Sequence, residues 1–131
     1  MNYRFYYPEW NNRKEVCKDY PQIKEITREP TAFWYGVGPK RTIRKTKKSI
    51  ERLLERADPY LPILVVYSIP YRDLGHHSKG GAESDKEYLQ FIRGFCDAIG
   101  DRSPIVIYEP DCIPHMEGRL DSIQPHKLVM K

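Results

Sequence analysis

Pro62-Ile63-Leu64-Val65-Val66-Tyr67-Ser68-Ile69 is apolar nearly throughout. It has the pattern of a strand covered on both faces in a parallel sheet. A shorter run lies on either side of it in the chain. Thr31-Ala32-Phe33-Trp34-Tyr35 is β-branched and aromatic, and it stops at Gly36-Val37-Gly38-Pro39, which cannot continue a strand. Pro104-Ile105-Val106-Ile107-Tyr108 stops as abruptly at Glu109-Pro110-Asp111. The intervals between these runs carry helical periodicity. From Thr42 to Ala57, residues Ile43, Ile50, Leu53, Leu54 and Ala57 share one stripe with lysines and arginines opposite, and Asp58-Pro59 ends the helix. A capping box, Ser84-Asp85-Lys86-Glu87, opens the next helix; Tyr88, Phe91, Ile92, Phe95 and Ile99 face inward and Gly100 supplies a left-handed stop. The order β-α-β-α-β, with connections long enough for helical crossovers, predicts an α/β fold built on a parallel sheet.

The 131 residues suit a single domain, 1–131, and exclude a multidomain machine. Apolar residues are 40 %, charged residues 31 % and the mean hydropathy is -0.70, a soluble globular composition. No apolar run approaches the roughly 20 residues that span a bilayer, so no membrane partner is expected. The start, Met1 to Pro8, shows neither an apolar core nor a cleavage site, and no secretion signal is read in this chain. Cys17, Cys96 and Cys112 are odd in number and lack metal-ligand spacing, which predicts isolated thiols, with no metal and no cofactor.

The net charge of +4 is uneven: Lys40 to Arg56 holds eight Lys/Arg and two Glu, so this segment is strongly basic and the remainder is slightly acidic. The segment reads first as the solvated outer face of its helix rather than as a nucleic-acid contact, whose mark would be an affinity that falls steeply with salt. Pro21 to Arg28 reads as a short helix with Ile23 and Ile26 inward. The aromatic start, Tyr3-Arg4-Phe5-Tyr6-Tyr7, reads as a segment packed across the domain, and residues 113–131 show no period.

In parallel α/β folds, chemistry gathers at the carboxyl ends of the strands. Three strand ends deliver candidates to one rim: Trp34 from the first; Tyr67, Arg72, Asp73 and the turn Ser78-Lys79-Gly80-Gly81 from the second; Glu109 and Asp111 from the third. Two carboxylates beside aromatic rings is the combination that glycoside hydrolysis requires, because one acid must hold its proton near neutrality and a neighbouring negative charge raises its pKa. Each residue also has a plainer reading. Asp after a strand commonly caps the next helix, and Trp or Tyr in a strand commonly belongs to the core.

Two strings are more specific. Leu61 to Asp73, followed by His77-Ser78-Lys79-Gly80-Gly81-Ala82, and then Ile99 to Asp111 closely resemble glycoside hydrolase family 6, the endoglucanases and cellobiohydrolases that cut β-1,4-glucan with inversion. The resemblance covers about residues 3 to 117. It implies a partial, truncated distorted TIM-like barrel: the N-terminal portion of a (β/α) barrel, of which these three strands are a part, leaving at least one open sheet edge through which the chain could associate with itself. By the same resemblance Asp111 matches the general acid and Asp73 the second acid that assists it. Tyr67 matches the tyrosine crowding the sugar at the cleavage point and Trp34 a stacking tryptophan; Ser78, beside the position that Lys79 takes, is a candidate for a water contact. Arg72 and Glu109 are expected to support the acids.

The resemblance thus implies a cellulase-like hydrolase with β-glucan or cello-oligosaccharide as its partner, acting outside the cell. A second reading is a catalytically impaired glucan-binding module. Leu74 stands where the family usually has a cysteine, so the disulfide of the active-site loop is not expected; Lys79 stands where a small residue is usual.

Overall fold

The structure, a computed structural model, describes residues 4–7, 13–26, 29–38, 42–70, 72 and 80–112. The ordered elements are α1 (Arg13–Asp19), a single 3-10 turn (Pro21–Ile23), β1 (Phe33–Tyr35), α2 (Ile43–Ala57), β2 (Ile63–Val66), α3 (Asp85–Ile99) and β3 (Ile105–Tyr108). The strands form one parallel sheet in the order β1-β2-β3, with Phe33 opposite Leu64 and Leu64 opposite Val106. The α/β class and the parallel βαβαβ order therefore hold.

The strands are shorter than the apolar runs. At the end of β2 the Tyr67 N–H still donates to the Tyr35 carbonyl of β1 at 2.9 Å, but beyond it Ser68 and Ile69 donate to the Glu109 carboxylate, a side chain rather than a neighbouring strand. Side chains alternate across the sheet. Leu64 and Val66, with Tyr35 of β1, join Ile50, Leu53 and Leu54 of α2 and Phe91, Phe95 and Ala98 of α3 in one core. Val65 points to the other face, the one that carries Trp34 and Ile107. Leu64 and Ile50 are fully buried, and truncating such a side chain to Ala typically costs about 2–5 kcal/mol.

Both helices begin where their caps predict. Thr42 Oγ1 accepts from Lys45 N–H at 3.3 Å, and Ser84 Oγ accepts from Glu87 N–H at 3.2 Å. The reciprocal half of the capping box is displaced by one residue, since the Glu87 carboxylate accepts from Glu83 N–H at 2.6 Å. Gly100 has a positive φ of 56 but ψ -132, outside the left-handed helical well, and its N–H still closes α3 on the Cys96 carbonyl.

The N-terminal reading needs two corrections. The sequence shows no period over α1, and Ile26 is 71 % exposed rather than inward, beyond the 3-10 turn Pro21–Ile23. The aromatic segment does cross the domain. Tyr6 N–H donates to the Leu61 carbonyl, Leu61 N–H to the Arg4 carbonyl, and the Tyr6 ring stacks on Phe33 at 5.9 Å.

Among the described residues β1 and β3 are the two edges of the sheet. β3 is exposed on both faces, from 40 % at Ile105 to 56 % at Tyr108, since no further strand among the described residues lies beside it. The basic residues Arg44, Lys45, Lys48, Arg52 and Arg56 lie on the exposed face of α2, and Lys47 pairs with Asp97 of α3 at 3.6 Å. No helix among the described residues is long and apolar enough to cross a membrane. Cys17, Cys96 and Cys112 form no disulfide among the described residues.

Candidate active site

The carboxyl ends of β1 and β2 meet at Tyr67. Gly36 makes that approach possible: a Cβ there would stand 2.4 Å from the Tyr67 carbonyl oxygen. The Tyr67 ring is nearly buried, and Trp34, half-exposed on β1, meets it edge to face with centroids 5.6 Å apart. Arg72 closes the other side. Its guanidinium carbon lies 4.4 Å from the Tyr67 ring centroid, and its Nη1 donates to the Tyr67 carbonyl at 2.7 Å. A cation over an aromatic face and a charge-assisted hydrogen bond thus hold one residue at both its ring and its backbone. Trp34, Tyr35, Gly36, Val37, Tyr67 and Arg72 line a cavity of about 200 Å³. This is smaller than the roughly 300–1,000 Å³ of enclosed small-molecule pockets, and it suits a shallow contact with one ring of a chain. A larger depression, about 620 Å³, lies over Lys45, Lys48, Arg52 and Arg56, all from one face of α2. A single convex helix face does not enclose a ligand.

Glu109 lies beneath this rim. It is 2 % exposed and has φ 43, a left-handed conformation that a side chain rarely adopts. The conformation turns its carboxylate back under the end of β2. Oε1 accepts from Ser68 N–H at 2.8 Å, and Oε2 accepts from Ser68 and Ile69 N–H, each at 3.1 Å. Burial raises its pKa above the ordinary carboxylate value, opposed by those amides, by a hydrogen bond from Tyr88 and by the Arg72 charge. Burial also pushes Tyr88 up, as do its bond to Tyr108 and the Glu109 charge. Ser68 is fully buried, and its Oγ accepts from Val37 N–H at 3.0 Å, linking the ends of β1 and β2.

The structure brings together Trp34, Tyr67 and Arg72, with Glu109 packed below them. Asp111 is exposed on the turn after β3, two residues beyond Glu109. Asp73 and Ser78 lie outside the described residues, as do Leu74 and Lys79. Glu109 and Arg72, read from the sequence as a supporting pair, support different things: Glu109 holds the backbone of Ser68 and Ile69, and Arg72 holds Tyr67. Three contributors escaped the sequence reading. In the sequence Gly36 reads only as a strand breaker, Ser68 as part of an apolar run, and Tyr88 as a core residue of α3. Ser68 carried a signal, a hydroxyl within a run where every buried polar group needs a partner.

Rim chemistry on a parallel α/β sheet defines the class, and the comparison with known proteins names the family. The chain belongs to the glycosyl hydrolases family 6, whose model matches residues 8–125. It is 36 % identical over 96 residues to Endoglucanase 1 of Streptomyces sp. (strain KSM-9), across 72 % of this chain and 26 % of that protein. It is 32 % identical over 97 residues to Endoglucanase A of Thermobispora bispora, across 73 % of this chain and 21 % of the relative. The chain thus spans about a quarter of the length of these relatives. The endoglucanase Cel6 of Mycobacterium tuberculosis, solved with a methyl-cellobiosyl-4-deoxy-4-thio-β-D-cellobioside, shares the fold with a TM-score of 0.76 at 19 % identity. That match covers 97 % of this chain and 43 % of the other, as a partial barrel does.

Proposed function

We propose that this chain carries part of the active site of a β-1,4-glucan hydrolase that inverts the anomeric centre. Asp111 protonates the glycosidic oxygen, while a water assisted by Asp73 and held near Ser78 attacks the opposite face of the anomeric carbon. Tyr67 and Trp34 contact the glucosyl units, and cello-oligosaccharide is the substrate class. The observation that carries this reading is the Trp34–Tyr67 pair, a half-exposed ring set edge-on to a ring gripped by Arg72 at the carboxyl end of the sheet. Such rings offer faces on which the C–H groups of a sugar pack. Family membership and the endoglucanase relatives add support, and they are also the ground for proposing action outside the cell.

A binding module is the second reading, favoured by the short span relative to the endoglucanases. The chain then holds a glucan at Trp34 and Tyr67 without cutting it. The open apolar edge at β3 is the surface through which the sheet would pair with another copy. Reducing-sugar release from soluble β-glucan by the wild-type chain and by Asp111→Asn, run beside calorimetry with cellotetraose, separates the readings. Loss of release in the variant supports the hydrolase; binding without release by the wild type supports the module. Release that is undiminished in Asp111→Asn removes the assignment of the acid.

A further inference from the structure

Glu109 ties the carboxyl end of β3 to that of β2, and through Ser68 the tie reaches β1. Its own N–H donates to the Val66 carbonyl at 2.8 Å, and its carboxylate takes the Ser68 and Ile69 amides, which follow Tyr67 directly. Through the Ser68 hydroxyl the tie continues to Val37, two residues beyond β1. No other side chain among the described residues accepts from these amides, and a buried amide without an acceptor is costly. From α3 the Tyr88 hydroxyl bonds the hydroxyl of Tyr108, and it lies near enough to Glu109 to favour the ionised carboxylate. The carboxylate therefore sits between a helix and the end of the central strand.

We infer that Glu109 and Tyr88 form a positioning pair, in which Tyr88 orients the Glu109 carboxylate and the carboxylate fixes the Ser68–Ile69 backbone, and so sets Tyr67 against Trp34. The role follows from geometry. Both oxygens are occupied by backbone donors, so Glu109 is not presented to the cavity as a proton donor. The left-handed φ of 43, which a side chain rarely adopts, is what points the carboxylate under β2. The groups facing the carboxylate are Tyr88 of α3, Arg72 beyond β2 and, through Tyr88, Tyr108 of β3.

The consequence for glucan recognition rests on the function proposed above, and the test is built to separate the two. Amide spectra of the ¹⁵N-labelled 131-residue chain are followed through pH for wild type, Glu109→Gln and Tyr88→Phe, with Tyr67 and Trp34 ring signals read in the same samples. In wild type the Ser68 and Ile69 amides move together with one midpoint. In Glu109→Gln that titration disappears and the Tyr67 ring signals shift. In Tyr88→Phe, a milder change that keeps the aromatic ring, the midpoint rises, because a donor to the ionised carboxylate is gone. Amides that titrate alike in wild type and Glu109→Gln, or a midpoint unmoved by Tyr88→Phe, overturn the pair. Cellotetraose is then added. Binding weakened about tenfold in Glu109→Gln, the scale of one charge-assisted hydrogen bond, supports positioning of the glucan contact. Equal binding in wild type and variant overturns that role while leaving the glucan reading intact. Absent binding in wild type, with the amide and ring responses present, defeats the glucan reading and leaves the positioning pair standing.

Discussion

Arg72 grips Tyr67 twice, with its guanidinium 4.4 Å from the ring centroid and a hydrogen bond of 2.7 Å to the carbonyl oxygen. The two contacts demand different chemistry. A planar guanidinium supplies the stacked face and the directed N–H together, whereas an ammonium is a point donor on a flexible stem. Arg72→Lys is therefore expected to loosen Tyr67 despite keeping the charge. The loss should be about 1–2 kcal/mol, since Arg72 is only partly buried and solvent screens part of the interaction. Urea unfolding of the two proteins measures it, and equal midpoints would show that charge alone suffices.

Gly36 is required by space rather than by backbone conformation. An added Cβ meets the Tyr67 carbonyl oxygen at 2.4 Å, and that oxygen belongs to a backbone held by the Tyr67 N–H bond to Tyr35. Neither partner is the far end of a flexible side chain. Gly36→Ala should cost about 1–3 kcal/mol, as overpacking does, and should displace the Tyr67 ring from Trp34. Thermal unfolding gives the first quantity. Near-ultraviolet circular dichroism of the Trp34–Tyr67 pair reports the second, and an unchanged spectrum would contradict it.

How much of this was legible follows from which interactions are local. The strands at Phe33, Leu64 and Ile107 were readable because apolar runs and their breakers are written in consecutive residues, and the helices because their stripes and caps repeat within a turn or two. Trp34, Tyr67 and Arg72 could be placed on one rim because a parallel sheet puts all its strand ends on one side. The partnership of Glu109 with Ser68 and Ile69 spans about forty residues and depends on a left-handed backbone at a glutamate, which no propensity predicts. Tyr88 shares the apolar stripe of α3 with Phe91 and Phe95, so its period marks it as core; only its hydroxyl, meeting Tyr108 and Glu109, distinguishes it. Ile26 differs for the opposite reason: an apolar residue in a short helical pattern reads as inward, but here it is 71 % exposed beyond the turn Pro21–Ile23.

Ser84 caps α3 through its hydroxyl, which accepts from Glu87 N–H, while the Glu87 carboxylate serves Glu83 instead of Ser84. The two caps are therefore separate and their losses should add. Ser84→Ala is expected to cost about 1 kcal/mol, with Glu87→Gln costing less because its carbonyl still accepts. A double variant measured by urea unfolding checks additivity. A strong coupling between the two sites would restore the reciprocal capping box that the geometry argues against.

The titration of Glu109 should leave a mark on stability. Burial raises its folded pKa above the ordinary carboxylate value, outweighing the Ser68 and Ile69 amides, Tyr88 and Arg72, which act in the other direction. The folded chain then holds this proton more tightly than the unfolded chain does. Linkage gives the sign: the contribution is fully present below the ordinary carboxylate range and is lost as pH rises through the folded value. Most acid-labile carboxylates behave oppositely, so the effect is visible only as a difference. Unfolding free energies of wild type and Glu109→Gln, measured from mildly acid to neutral pH, should diverge in slope across that window. The wild type should lose stability relative to the variant as pH rises. Parallel curves would show that the amide and Arg72 contacts cancel burial, and a wild type that gains would show that they outweigh it and hold the carboxylate ionised at lower pH.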